Sequence, residues 1–588
     1  MTSLTLRRLI FLIITGLIAV VLIGIPGEFA RPLFVVMGLA AAMTAAYRFW
    51  PPMLLKQILA QHLRTIILMI VPLIPWLLFL ITGLRGIDFG PKHVDEPLQL
   101  EIAIQTLKSG VLIPDFYNYP SMSYWLTLTA LLPEIHQIRT GNLNPAHFIE
   151  THWYPYMLRV RRIFLSVSSL AILWVYGAVL AWRDRDGDEA KGENGNGWRE
   201  AFIATIILGF SQEIAYHARW IAPDTVLMQY GALTVLFCMI AIRNQNSYSK
   251  ALIAAGISAG LGTGTKYPGG LLMLPVLIAA FPALRRMTWY QAGWRIFGLM
   301  IAAGGAYLVT TPGTLLAPGE FMADVHYELD HYRVFGHDVH TVTPGLEHLR
   351  LNIDYLTRAG FSSYEPIALL FAALTAIGAF AALRKDIQSG LILVSFPVVY
   401  VLYFSQQRVM FVRNLLVVLP FCAILAAHGA FFLIDLPKKL LKKSRWNVLL
   451  QYSAMIVLVI LPGLNAKTLI TDAESIRQPD ERQDFLDFAG YVIDHPDAHF
   501  AASDEVWKTF RRFDIQIPEN IAHATWDDAD TGAFFSDEIG LHLPPNRVDT
   551  FLRWFGSHET NYNIYPYWRG HHVMLLSKEK IKIYNLPP

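Results

Sequence analysis

"RRIFLSVSSLAILWVYGAVLAWR", residues 161–183, decides how the chain must be read. Twenty consecutive positions between Arg162 and Arg183 carry no charged side chain. A hydrocarbon core of ~30 Å needs roughly 20 such residues in a helix, so the segment reads as a membrane span. Runs near that length recur around 9–25, 31–47, 65–84, 163–182, 200–214, 222–242, 250–265, 269–284, 293–311, 364–383, 389–404, 412–434 and 446–464. Several are short or interrupted by Gly and Pro, and the expected total is about 13. Apolar residues make up 54% of the 588 positions and charged residues 16%, with a mean hydropathy of +0.38. A soluble protein of this length is excluded, and the chain reads as an α-helical polytopic membrane protein.

Net charge is only +2, and the basic residues sit in short clusters, so no broad nucleic-acid footprint is present. Cys238 and Cys422 both fall in apolar segments, which argues against a disulfide framework. With Arg7 and Arg8 inside the cell, the same side receives "YRFWPPMLLKQILAQHLR", "RDRDGDEAKGENGNGWR", "RNQNSYSK", Arg285/Arg286, Arg384/Lys385 and "PKKLLKKSRW". That is the positive-inside pattern. The first apolar run lacks a small-residue cleavage site before "IPGEFARP" and is expected to be a retained span, not a signal peptide. The expected topology is an integral protein of the inner or plasma membrane, N-terminus cytoplasmic. Loops 85–162 and 312–363, short turns near 214–222, 266–268 and 405–411, and the tail from 466 then face outward.

Three regions are expected: additional spans over 1–64, a membrane unit over 65–465, and a small soluble α/β domain over 466–588 on the outer side. The tail mixes helical ("DERQDFLDFAGYVI") and strand-like ("HFAAS", "HVMLLS", "KIKIYNL") patterns. The inward "DGDEAKGENGNG" is a solvated linker. No internal repeat, phosphate-binding loop, dinucleotide fingerprint or zinc-ligand spacing is present.

The outward side carries the candidate chemistry. In "KHVDEP" (92–97), Asp95 and Glu96 are adjacent, so they project differently: one as a base, the other as a supporting charge. By itself the motif also reads as the start of the helix "EPLQLEIAIQTLKSG", with Asp95 as its cap. "EIAYHARWIAPDTVLMQYG" (213–231) crowds His217, Arg219 and Asp224 into one turn, either as a functional group or as an Arg219–Asp224 ion pair. "GTGTKYPGG" puts Lys266 and Tyr267 in a tight turn, where the lysine could also simply snorkel. "SQQRVMFVRNLLVVLP" holds Arg408 and Arg413 on the side where cations go against the charge bias, which suggests a bound anion. The acids and histidines of "DVHYELDHYRVFGHDVH" match no metal spacing and read as a solvated, partly helical loop. Taken together, a carboxylate base, a second acid and three cations at headgroup depth suit an anionic lipid whose phosphate rests on the cations.

The order "HVDE", "NYPSMSYWL", "ARWIAPD", "TKYPGG", "TTPGTLL" and "RNLLVVLP" resembles the C-type glycosyltransferase superfamily, in its protein O-mannosyltransferase-like, phospholipid-carrier-dependent branch, which includes the aminoarabinose transferases. The resemblance runs from about 65 to 464. It implies Asp95 as general base on an acceptor hydroxyl, Glu96 in support, and Asp224 with Arg219 orienting substrate. It also implies Lys266 and Arg413 on the donor phosphate, with His217, Tyr267 and Arg408 alongside. The implied reaction is a single displacement with inversion: a polyprenyl- or dolichyl-phosphate sugar is attacked by a hydroxyl of a lipid, glycan or protein. No metal ligand is assigned, although Glu96, Asp224 and the loop histidines leave a divalent ion (Mg or Mn) conceivable. Two departures stand out, the additional spans before the Asp-Glu loop and the length of that loop. The rival from another class is a lipid-carrier flippase without transferase activity, and an oligosaccharyltransferase-like enzyme lacks its acceptor motif here.

Overall fold

The computed structural model describes residues 70–87, 96–141, 148–185, 197–243, 250–337, 340–440, 445–477, 481–523, 531–535, 568–569 and 573–577. Among them, seven helices are long and apolar enough to cross a membrane: Pro155–Arg183, Pro223–Arg243, Tyr267–Leu284, Trp289–Thr310, Glu365–Lys385, Ile387–Ser405 and Val412–Leu436. Three shorter apolar helices, Leu73–Arg85, Lys250–Thr263 and Ile456–Ile470, accompany them. The spans expected at 9–25 and 31–47, and the start of 65–84, lie outside the described residues.

The differences from expectation have local causes. The helix Phe148–Arg185 runs 38 residues, so the loop expected over 85–162 ends well before the apolar run begins. The stretch 200–214 breaks: one helix ends at Gly209, and Ser211, in extended backbone, starts the short helix Gln212–His217 by accepting from the Ile214 amide at 3.4 Å. A side-chain oxygen there competes with continuation of the helix. Tyr267–Leu284 opens as a 3₁₀ turn, Tyr267–Leu272, through "YPGGLL". A Cβ at Gly269 would lie 2.4 Å from the Gly262 carbonyl oxygen, so only glycine fits that close return of the chain.

In lipid, helices gain no hydrophobic advantage from meeting each other, so close packing must hold them. Gly378 and Gly429 supply it where Glu365–Lys385 crosses Leu419–Leu440. A Cβ at Gly378 would fall 1.8 Å from the Leu425 oxygen, and one at Gly429 2.1 Å from the Leu374 oxygen. Buried polar pairs add direction: Trp174 Nε1 donates to Gln229 Oε1 at 3.0 Å and Ser168 Oγ to Thr225 Oγ1 at 2.8 Å, joining Phe148–Arg185 to Pro223–Arg243. Trp289–Thr310 differs, with only 11% of its apolar window buried. It leans on Lys250–Thr263, where Ala303 meets Gly260 backbone to backbone.

Span ends sort by charge. Arg183, Arg243, Arg285, Arg384 and Lys385 mark one end of the bundle. There Glu200 is buried between Arg183 and His428, whose Nδ1 lies 3.0 Å from Glu200 Oε1. Asp224, Lys266 and Arg413 stand at the other end.

After the last apolar helix, the chain forms a five-stranded sheet, order β2-β1-β3-β5-β4: β1 Phe500–Ala502, β2 Ile521–His523, β3 Thr531–Phe535, β4 Trp568–Arg569 and β5 Val573–Ser577. β1 runs parallel to β2 and β3, and β5 antiparallel to β3 and β4. Phe485, Phe488 and Val492 of Glu481–Ile493 and Val506 and Phe510 of Asp504–Arg512 pack with Phe500 in its core. The mixture of helix and strand read from the tail is therefore present, although "KIKIYNL" lies outside the described residues.

Replacing Gly378 by Ala should lower the thermal midpoint of the detergent-solubilised protein, in line with the roughly 1–3 kcal/mol cost of overpacking. Gly304, with nothing within 4 Å of an added Cβ, is the control, and its Ala variant should hold or raise the midpoint. Equal midpoints for the two variants would remove the glycine crossing from the account.

Candidate active site

Asp224 follows Pro223 in the first turn of Pro223–Arg243, where a proline fits and the exposed backbone amides favour an anion. Its side chain is 2% exposed, so its charge must be met locally. Lys266, extended at the joint before Tyr267–Leu272, donates from Nζ to Asp224 Oδ1 at 2.7 Å and to Asn414 Oδ1 at 2.5 Å. Arg413, opening the 3₁₀ turn Val412–Val418, brings Nε within 3.6 Å of Asp224 Oδ2. Three segments separate in sequence thus converge on one carboxylate. Two basic groups attend this one carboxylate.

Aromatic rings wall the cations. The Arg413 guanidinium lies 4.3 Å from the Phe411 ring centre and 5.6 Å from that of Trp220, and Lys266 Nζ lies 5.8 Å from that of Tyr119. Faces of such rings favour cations most where water is excluded. His217 is buried beside this wall, near Trp220 at 5.8 Å between ring centres. Burial pushes its imidazole down to about 3, with Arg413 adding to the effect and Asp224 opposing it. Arg219 is buried in the same turn, but the ion pairs of Asp224 go to Lys266 and Arg413, not to Arg219. Arg408 is exposed, and its Nη1 donates to the Val334 carbonyl at 2.8 Å, so it fastens the following loop and does not join the cluster.

Glu96 has a different fate. Arg161 Nε and Nη2 grip its two oxygens at 2.8 and 2.6 Å, and Oε1 also accepts from the Ile221 amide at 3.0 Å. Arg161 Nη1 donates to the Ile87 carbonyl at 3.0 Å, and both side chains are wholly buried. Glu96 therefore pins the helix Glu96–Ser109 to Phe148–Arg185 and to the turn that leads into Asp224. Its neighbour Asp95 lies outside the described residues.

The remaining motifs lock together around the cluster. Tyr267 donates its hydroxyl to the Tyr117 carbonyl at 2.6 Å, and the Met122 amide donates to Gly264 at 2.9 Å. The Trp125 indole donates to Thr310 at 2.7 Å, and the Ser121 amide to Thr311 Oγ1 at 3.2 Å. "NYPSMSYWL", "TKYPGG" and "TTPGTLL" are thus one assembly. Reading the sequence did not single out Asn414, Tyr119, Trp220 or Arg161. Each is adjacent to, or inside, a stretch quoted for another residue.

Among the described residues, no three or more His, Cys, Asp or Glu side chains gather as for a metal ion. The donor set itself does not fit one: the oxygens of Glu96 are taken by Arg161 and an amide, and Asp224 faces two cations.

Residues 196–321, which include His217, Arg219, Asp224, Lys266 and Tyr267, match the family model described as dolichyl-phosphate-mannose-protein mannosyltransferase. No curated protein matches the chain. Three solved structures are similar to it. ArnT from Cupriavidus metallidurans bound to undecaprenyl phosphate is 12% identical, with a TM-score of 0.43 over 88% of this chain and 98% of that one. The same protein in the apo state gives 13% and 0.44 over 89% and 99%. The Archaeoglobus fulgidus oligosaccharyltransferase in the apo form gives 10% and 0.42 over 76% and 60%.

Residues 196–321 thus carry the pattern of a dolichyl-phosphate-mannose-protein mannosyltransferase domain, in a chain with seven described helices long and apolar enough to cross a membrane. The resemblance to the protein O-mannosyltransferase branch, read from the motifs, is borne out over that matched segment.

Glu96→Gln, which leaves Arg161 charged and buried, should destabilise the protein by roughly 3–5 kcal/mol in detergent unfolding. Coupling it with Arg161→Met should recover part of that loss, whereas simple additivity would show that the two do not act as a pair. A buried neutral His217 also makes stability depend on pH. Its folded pKa lies below the ordinary 6.5, so between there and about 3 the unfolded chain binds the extra proton. Stability then falls by about 1.4 kcal/mol for each unit of pH lost below 6.5. Against pH, wild type should show this additional slope relative to His217→Gln.

Proposed function

We propose that the protein transfers a sugar from a polyprenyl-phosphate donor to a hydroxyl acceptor at the outer face of the membrane, with inversion at the anomeric carbon. The observation that carries this reading is the Asp224–Lys266–Arg413 cluster, which gathers two basic groups at the end of the bundle opposite the basic span ends. The positive-inside pattern turns that end outward. The family match over Asp224 and Lys266 supports a lipid-linked sugar, and the undecaprenyl phosphate held by ArnT supports a lipid phosphate as its carrier.

The mechanism follows from the charges. The donor phosphate rests on Lys266 and Arg413, whose positions Asp224 and Asn414 fix in advance. As the glycosidic C–O bond breaks, negative charge grows on the phosphate oxygen facing those cations. Preorganised charge in a water-poor site stabilises that change most. Asp95, next to the pinned Glu96, takes the proton of the attacking hydroxyl. The acceptor oxygen bonds to the anomeric carbon from the opposite face, and carrier phosphate departs. Asp224 stays an anchor for the two cations, and no metal step is needed.

The test uses proteoliposomes with undecaprenyl-phosphate-linked sugars, mannose among them, and an envelope acceptor fraction. Lys266→Met should lower kcat/KM by roughly 10²–10³-fold, the scale of losing one electrostatic stabiliser. Asp95→Asn should lower kcat by roughly 10²–10⁴-fold while donor binding changes little. Carrier crossing the bilayer with no sugar transferred from any donor would replace this reading with a flippase.

A further inference from the structure

Glu328 lies in the last turn of the helix Pro318–Asp330, in the stretch 312–363 that joins Trp289–Thr310 to Glu365–Lys385. Nothing in its acidic and histidine-rich surroundings marks it out by sequence, yet the fold links it to the cation cluster by two routes. Asn118 Nδ2 donates to Glu328 Oε2 at 3.4 Å, and the next residue, Tyr119, is the ring beside Lys266 Nζ. On the other side His331 Nδ1 lies 3.8 Å from the same oxygen. Its neighbour Tyr332 accepts at its hydroxyl from Asn414 Nδ2 at 3.4 Å, and Asn414 is the second partner of Lys266. The helix changes there to a π turn, His331–Phe335, a form that recurs at functional sites. Arg408 stitches the turn down, its amide donating to the Tyr332 carbonyl at 2.7 Å and its guanidinium to Val334.

An acidic group so placed works against a phosphate site unless it has another task. The side chain is 17% exposed, and a carboxylate offers about four acceptor positions, of which the Asn118 amide occupies one. His331 does not neutralise it, because burial and His337 hold that imidazole below its ordinary range. The carboxyl itself is raised by burial, with Lys266 and Arg413 drawing it back. In a glycosyl phosphate, one oxygen separates phosphorus from the sugar ring, so a group just beyond the cations meets the sugar. The surroundings are those of a carbohydrate site: a carboxylate and an amide for hydroxyls, with the rings of Tyr119 and Tyr332 for the apolar face.

Resting on the reading that donor phosphate sits on Lys266 and Arg413, we propose that Glu328 with Asn118 forms the sugar-recognition subsite, accepting hydrogen bonds from hydroxyl or amino groups of the transferred sugar. The residue then sets which glycosyl phosphate is used and is not needed to hold the carrier.

The test measures binding of two probes, undecaprenyl phosphate alone and undecaprenyl-phosphate-mannose, to wild type and Glu328→Gln in nanodiscs, together with kcat and KM for transfer. Charge-assisted hydrogen bonds are worth enough that the variant should bind the mannosylated probe roughly tenfold or more weakly. It should bind bare undecaprenyl phosphate as well as wild type or up to about threefold more tightly, since a repelling charge has gone. Unchanged binding of both probes would overturn the proposal. Equal weakening of both would overturn it too, by making Glu328 a brace for the loop. If wild type binds neither probe, the donor reading itself fails, and the subsite with it.

Discussion

A carboxylate buried in a membrane bundle must be neutralised where it stands, and this requirement organises the protein. Moving an isolated charge out of water costs several kcal/mol even after relaxation. Asp224 meets the constraint with Lys266 and Arg413, and Glu96 meets it with Arg161. Because each partner comes from a distant segment, solving the charge problem also fixes the tertiary arrangement. The convergence of Pro223–Arg243, the Lys266 joint and the Val412–Val418 turn is as much an electrostatic result as a packing one.

The two solutions differ in a way that separates scaffold from chemistry. Around Glu96 both oxygens are held by the fork of Arg161, one also by an amide. Around Asp224 two basic groups from separate segments attend the one carboxylate. A forked pair stabilises a joint between elements, whereas two basic groups gathered at a span end suit a bound anion.

Much of this was legible in the sequence because it rests on features that sequence displays directly. Long uncharged runs mark spans, and Asp224, Lys266 and Arg413 stood out as charges at span boundaries. What stayed hidden depends on distance in the chain. Arg161 sits at a span edge like any interfacial arginine, and only the fold shows it 65 residues away gripping Glu96. Asn414 and Tyr119 are unremarkable polar and aromatic residues until Lys266 lies between them. Arg408 and Arg413 look alike five positions apart, yet one fastens a loop and the other faces Asp224. The break at Gly209–Ser211 was missed for a subtler reason: hydropathy counts Phe210 and the residues before it but gives no weight to a serine that caps the next turn.

The sparsely packed helix Trp289–Thr310 has a consequence for how the bilayer acts on the protein. At 22 residues it is about 33 Å long, close to the hydrocarbon thickness it must match. Most of its flank is exposed, and among the described residues its main contact is one seam, Leu299, Ala303 and Thr310 against Gly256, Gly260 and Gly264. Hydrophobic mismatch is relieved by tilt, and a helix held along one seam tilts more easily than one wedged on all sides. Its upper end is bonded to Trp125 and continues into the threonine that holds Ser121, in the same stretch that bears Asn118 and Tyr119. Membrane thickness therefore has a mechanical lever on the rim of the site, one that works through lipid chain length and needs no ligand.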